Sequence, residues 1–342
     1  FYAVGMMGTV LATNLIEFYL FFELMLIPSY FLIAQWGYGE REKISFMYFM
    51  WTHIGALSLL AGILSVGYLA GNFDLSAVAA SVGGIAEIAR VWIAVAMTVG
   101  LLVKMAAFGL HVWLPHAHAE APTPISALLS PAMIGIGGYA MVRLVMTLLP
   151  SAYETISLSL AIWALVTMIY GGAMALVQDD IKRLLAYSSV SQMGYIMLGI
   201  SSAYSMGVVG SMFHYVSHGT GKGILFMTAG AIILQTNGLR SIGRMGGLAA
   251  KMPITAIATI IGFMSILGAP PFNGFISEVL IFAGVFQAGI LTSSTPRLVL
   301  GVLGLIATAL TVGYALWTIR RVFFGPLPDH LSTVREPPLS VT

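Results

Sequence analysis

Apolar stretches long enough to cross a bilayer follow one another through this chain with only short polar turns between them. They run near residues 1–14, 15–36, 44–70, 90–112, 122–149, 154–177, 181–201, 205–235, 253–292 and 297–322. In hydrocarbon the backbone must satisfy its own hydrogen bonds, and about 20 apolar residues span the layer as a helix. The pattern therefore predicts an all-α polytopic transmembrane bundle with about ten helices over 1–322, followed by a polar tail over 323–342. Composition agrees: 8% of residues are charged, against roughly 25% in a soluble domain. The first stretch starts at Phe1 and is too short to span, so the chain is expected to be a fragment truncated at its N-terminus.

One stretch cannot be a single straight helix. Residues 253–292 are interrupted midway by G-A-P-P-F-N-G, from Gly268 to Gly274. Proline removes a helical donor, so a broken helix near mid-membrane is predicted, its freed backbone groups lining a polar interior. The 90–112 stretch, by contrast, has no proline until Pro115 and reads as one helix in which Gly109 leaves room for a bulge.

Lysine and arginine fix an orientation. Assigning connections alternately to two sides puts Arg41, Lys43, Lys182, Arg183, Arg240, Arg244, Lys251, Arg320, Arg321 and Arg335 on one side, and Arg90, Arg143 and Arg297 on the other. The cation-rich side is then cytoplasmic. Two cations fall outside this count, Lys104 and Lys222, because both sit inside apolar segments.

Charges at that depth cost roughly 2.5–3.5 kcal/mol on insertion scales and mark ion or proton paths. Glu23 and Glu278 stand in equally apolar surroundings, whereas Glu17 lies near a helix start and serves equally well as a cap. His214, His218 and Lys222 recur at spacings of four and share a helix face over about 12 Å of rise. Imidazoles that accept and donate protons suit a relay. His53 stands alone among small residues and reads as a packing or interhelical hydrogen-bonding group. Asp179, Asp180, Lys182 and Arg183 open a helix and read as a cap with a surface ion-pair cluster. The chain has no cysteine, which excludes disulfides, thiolate metal sites and iron–sulfur ligation, and its seven histidines form no cluster with carboxylates that would hold a metal. It carries no feature of nucleic-acid recognition.

Three stretches, FYLFFELMLIPSYFLIAQWG, LHVWLPHAHAEAPTPISALLS and DDIKRLLAYSSVSQMGYIMLGI, together resemble the antiporter-like proton-channel subunits of complex I, the proton-pumping NADH:quinone oxidoreductase. That superfamily includes subunits of multiple-resistance-and-pH antiporters and of membrane-bound hydrogenases. The resemblance covers essentially the whole chain and implies a fold of about fourteen helices, of which this chain would supply the fourth through thirteenth. Glu278 resembles subunit M, the counterpart of mitochondrial subunit 4, since the other types typically carry lysine there. Lys222 and part of the PHAHAEAPT turn resemble the antiporter and hydrogenase branches.

The resemblance implies roles residue by residue. Glu23 matches the glutamate that modulates a pump lysine, Lys104 the central lysine, His218 and Lys222 polar groups on the central axis, and Glu278 the exit-side carboxylate. His214, His111 and Glu17 remain possible relay members. Glu23 and Lys104 are expected to approach within direct or water-bridged range. The family usually breaks the helix with prolines soon after the central lysine, which this chain lacks. Where subunit M usually carries a further lysine this chain has Gly135, and a neighbouring branch's histidine falls at Ser130. Lys222 is therefore expected to project beside Gly135 and fill the gap. The implied function is proton translocation in the membrane driven by remote redox chemistry, with no cofactor held by this chain and with flavin, iron–sulfur clusters and quinone in partner subunits of a complex I-like assembly in a prokaryotic cell membrane. The alternative is a subunit of a multisubunit Na⁺/H⁺ antiporter or membrane-bound hydrogenase, which neighbouring genes would distinguish. A purely structural scaffold is disfavoured by five buried titratable groups without obvious one-to-one pairing.

Overall fold

The computed structural model describes residues 1–338, so the last four residues of the expected tail lie outside the described region. The first half of the bundle holds α1 (Tyr2–Leu11), α2 (Leu15–Leu24), α3 (Leu26–Trp36), α4 (Arg41–Ala70), α5 (Leu75–Ser81), α6 (Glu87–Lys104), α7 (Trp113–Glu120), α8 (Thr123–Leu128) and α9 (Ile136–Ala140). The second half holds α10 (Pro150–Val177), α11 (Ile181–Ser201), α12 (Ser205–Gln235), α13 (Pro253–Ile266), α14 (Asn273–Leu291) and α15 (Thr295–Phe323). No strand occurs among the described residues, and six helical segments are long and apolar enough to cross a bilayer.

Among the helices below that apolar threshold, α11 and α12 carry many polar groups inside the bundle. In α11, 19 of the 21 residues are buried, including Ser188, Ser189, Ser191 and Gln192. A helix that touches no lipid does not need an apolar surface, so α11 tolerates these hydroxyls and serves as the central post against which α7, α10, α12 and α14 pack. The outward faces of α4, α10 and α15 are apolar instead, as Leu57, Leu64, Ile162, Val166, Leu303 and Ile306 show.

Helix α2 ends one residue after Glu23, and only Met25 separates it from α3. Pro28 follows four residues after Leu24 and offers no donor to that carbonyl, which accounts for the hitch. Between α8 and α10 the chain also departs from regular α geometry, with π-helical turns at Leu129–Met133 and Met141–Met146 on either side of α9.

The break in 253–292 lies where the prolines place it, between Ile266 and Asn273. Its two ends nearly touch. A Cβ on Gly274 would fall 1.8 Å from the backbone oxygen of Ser265, so only glycine admits this approach. The start of α13 is capped by the tail: Glu336 accepts hydrogen bonds from Ile254 N at 2.9 Å and Thr255 N at 3.1 Å. Leu331 and Val334 are buried in the same apolar cluster as Met245, Leu248 and Ile319, so the described tail is part of the bundle and not a free extension.

The expected cap and ion-pair cluster at 179–183 forms, with one exception. Asp180 Oδ1 accepts from Lys182 N (2.9 Å) and Arg183 N (3.1 Å) at the start of α11, and Asp180 pairs with Arg240 at 2.6 Å. Asp179 accepts from the Ser241 hydroxyl at 2.5 Å and Gly243 N at 2.6 Å. The exception is Lys182, whose side chain is 1% exposed and points inward.

Two outcomes follow from these contacts. Gly274→Ala must part α13 from α14, and overpacking of this kind costs roughly 1–3 kcal/mol; a thermal-unfolding assay of the detergent-solubilised protein should show a lowered midpoint, and an unchanged midpoint would contradict the close approach. The Ser241 hydroxyl holds the Asp179 carboxyl below its ordinary range, helped by Gly243 N–H and Arg321 and opposed by burial. A carboxyl depressed on folding adds stability that is complete above its unfolded pKa and is lost as pH falls through the folded value. The acid limb of the stability curve, below about pH 4, should therefore flatten in Asp179→Asn, as read by midpoint against pH.

Candidate functional site: a buried polar axis

Glu23 projects from the last turn of α2, beside the hitch. Its Oε2 lies 2.9 Å from His53 Nδ1 on α4, while Oε1 is buried without a protein partner. Lys104, 2% exposed, ends α6; its Nζ makes no hydrogen bond and sits 4.5 Å from the centroid of the Phe22 ring. No carboxylate oxygen lies within 4.0 Å of it, so of the expected direct or water-bridged approach of Glu23 and Lys104 the direct form is not seen, and the direct partner of Glu23 is His53. Glu23 is still the acidic group whose field reaches the ammonium. The C-terminal end of α6 adds the negative end of a helix dipole, which favours a cation there.

The reading of 90–112 as one helix is corrected: α6 stops at Lys104 and the chain runs unwound to Trp113. Two left-handed residues make the break without proline, Ala106 at φ 53° and Gly109 at φ 83°. An alanine in that region is strained by about 1–2 kcal/mol, and specific bonds hold it. Trp113 Nε1 donates to Val103 O at 2.9 Å, Trp163 Nε1 to Phe108 O at 2.8 Å, and Phe108 N to Thr167 Oγ1 at 3.1 Å. His111 belongs to this unwound stretch, accepting from Gly109 N at 3.2 Å and meeting the Tyr170 hydroxyl at 3.2 Å.

Helix α7 brings in a group that the sequence reading passed over. His118 is fully buried, stacks on Phe226 with centroids 4.8 Å apart, and has both ring nitrogens without a protein partner. Lys182 clamps the far end of α7, donating to the Ala121 carbonyl and, at 3.5 Å, to that of Ala119, with its ammonium 5.4 Å from the Tyr38 ring. It is a third buried lysine, not a surface cation. The WLPHAHAE turn held both clues, since it carries His118 into the bundle after the unwound stretch and ends in carbonyls that need a donor.

Lys222 donates to Leu185 O at 2.9 Å and to the Ser188 hydroxyl, both on α11. The expectation that it projects beside Gly135 is wrong. The Tyr215 ring fills that space so fully that a Cβ on Gly135 would lie 1.9 Å from it, which leaves no room for a lysine arm or for water.

The expected ladder on α12 is intact, with His214, His218 and Lys222 all buried. His218 has both nitrogens without a protein partner; His214 is held at both, by Ser277 Oγ (2.8 Å) and Gln192 Oε1 (2.8 Å). Ser277 is the residue before Glu278. The Glu278 carboxyl packs over the α13–α14 break, where a Cβ on Gly268 would come within 2.5 Å of Oε2, and its Oε1 is buried without a protein partner. Glu17 is exposed and accepts from Thr13 N at 3.3 Å; it caps α2 and lies off the axis.

Glu23, Lys104, His118, His218 and Glu278 thus each bury at least one polar atom that no protein group satisfies. Such atoms cost about 1–3 kcal/mol each, and here they are spread over five helices, α2, α6, α7, α12 and α14. That arrangement can carry protons by transfer between titrating groups and intervening water.

Comparison with known proteins places this arrangement in a family. The family model described as NADH:quinone oxidoreductase/Mrp antiporter, TM matches residues 12–304. The F(420)H(2) dehydrogenase subunit M of Methanosarcina mazei is 37% identical over 97% of this chain and 67% of the relative. The NADH-quinone oxidoreductase subunit M of Rhodobacter capsulatus is 33% identical over 97% of this chain and 65% of its own length. An NAD(P)H-quinone oxidoreductase chain 4 of Synechococcus elongatus is 35% identical over 94% and 60%. The chain therefore spans about two thirds or less of these relatives. Among solved structures, respiratory complex I from Thermus thermophilus with bound NADH gives a TM-score of 0.88 at 28% identity, covering 98% of this chain and 70% of the other. The membrane-bound sulfane sulfur reductase, an archaeal respiratory membrane complex, gives 0.89 at 29% identity, covering 98% and 55%. The chain belongs to the NADH:quinone oxidoreductase/Mrp antiporter transmembrane family, with subunit M and chain 4 proteins among its relatives.

Proposed function

We propose that this chain is the proton-translocating membrane subunit of a complex I-type donor:quinone oxidoreductase, of the subunit M kind. The observation that carries the reading is the set of buried titratable groups, Glu23, Lys104, His118, His218 and Glu278, each with a polar atom that no protein group satisfies, the last of them a carboxylate packed at the α13–α14 break. The relatives named for quinone reduction support quinone as the acceptor. Flavin, iron–sulfur clusters and quinone belong to partner subunits in this reading, and the cation-rich face is cytoplasmic in a prokaryotic cell membrane.

The chemistry follows from charge and position. Lys104 keeps its proton while the Glu23 carboxylate is near and loses it when that charge is withdrawn or neutralised. The released proton passes toward His118, whose ring nitrogens are both without a protein partner and so are free to take and give it. His218 and His214 continue the path along α12. The clamps on both His214 nitrogens fix its ring, so transfer there proceeds by exchange of hydrogen bonds with Gln192 and Ser277. Glu278 receives the proton beside the break, where the freed backbone opens the helix.

Lys104→Ala should abolish proton-coupled quinone reduction in sealed membrane vesicles while donor oxidation by artificial acceptors continues. Normal acidification by that variant would sink the assignment. Glu278→Gln should impair pumping strongly and Glu278→Asp mildly, measured as protons moved per electron. Near-native yields from both would reduce Glu278 to a packing group.

A further inference from the structure

We propose that His53 is the latch on Glu23, an imidazole that decides whether the carboxylate faces outward or turns inward to Lys104. The inference rests on the translocation reading above and adds to it a positioning residue. The interhelical hydrogen bond open to His53 in the sequence reading forms, and its partner, which the sequence did not name, is Glu23.

Three observations carry it. The Glu23 carboxylate is divided, Oε2 committed to His53 Nδ1 at 2.9 Å and Oε1 uncommitted, so a rotation of one side chain exchanges partners. Exposure falls along the line: the His53 side chain is 38% exposed, that of Glu23 15%, and Lys104 2%. The imidazole is therefore the member of the three nearest the outward face of this chain. Finally, the Phe49 ring stacks on the imidazole at 5.5 Å and 11°, which fixes the ring plane and aims Nδ1 at the carboxylate.

Protonated His53 forms an ion pair that holds Glu23 outward and withdraws its charge from Lys104. Neutral His53 keeps only a weaker neutral-donor bond, and Glu23 turns to the buried ammonium, which has no other acidic neighbour. The step moves one proton: an N–H bond forms at His53 when the proton arrives and breaks when it leaves, and Glu23 keeps its charge throughout. Loading the latch therefore releases the Lys104 proton inward, and unloading it resets the pair. The titratable groups facing this unit are Glu23 and Tyr19 on α2, Tyr30 on α3, Tyr48 on α4 and Lys104 on α6.

His53→Gln is the test, because glutamine can still donate to Glu23 but cannot take a charge. In the assembled complex, donor oxidation by artificial acceptors should be unchanged while proton yield per electron falls well below the native value. His53→Asn, which is shorter beside Phe49, should agree. The infrared carboxylate band of Glu23, identified by its loss in Glu23→Gln, should shift with pH in the native complex and stay fixed in His53→Gln. Native pumping in His53→Gln, or a native Glu23 band indifferent to pH, would overturn the latch. A pumping Lys104→Ala variant defeats the translocation reading as a whole; a dead Lys104→Ala beside a fully active His53→Gln defeats the latch alone.

Discussion

Every backbone amide and carbonyl at membrane depth must find a partner, and this bundle breaks two of its helices there. The rest of the architecture answers that demand. At the first break the freed groups are met from α10, by Trp163 and Thr167, and by Trp113 of the unwound strand's own exit. At the second, Gln192 of α11 donates to Ile266 O at 3.1 Å. The same Gln192 holds His214 through its oxygen, so one amide repairs the backbone and orients a buried imidazole. This explains why α11 is polar and wholly enclosed: it is the donor supply for an interior where water is scarce.

Charge is managed by a different device. Three lysines are buried, Lys104, Lys182 and Lys222, and none has a carboxylate within ion-pair distance. Lys182 and Lys222 are solvated by backbone carbonyls and a serine hydroxyl, while Lys104 rests on a helix C-terminus and an aromatic face. A fixed ion pair would hold its proton too firmly for traffic. Carbonyl solvation stabilises the cation without trapping it, and the acidic groups, Glu23 and Glu278, stand apart on α2 and α14.

Much of this was legible in the sequence. Apolar length gave the helices, Pro270 and Pro271 gave the second break, and the spacing of four gave the α12 ladder, because these depend on local periodicity alone. What escaped depended on side chains meeting across the bundle. The break after Lys104 is made by an alanine in a strained conformation, which no residue type announces. Lys182 looked like a surface cation because it follows Asp180 in a polar turn, yet its stem turns inward to cap α7. Gly135 read as open space for Lys222, but an absent side chain on one helix is an invitation to a large one on its neighbour, and Tyr215 took it. His53 and His118 looked ordinary for the same reason: their importance lies in what they touch.

The short helix α13 has a mechanical consequence. Fourteen residues make a rod of about 21 Å, gripped at its start by Glu336 of the tail and at its end by Gln192 of α11. Rods pinned at both ends by remote segments move as a unit or not at all. The tail and the Gly268–Glu278 contact thus lie at opposite ends of one short rod, so the C-terminal segment is tied through α13 to the second break as well as covering the bundle.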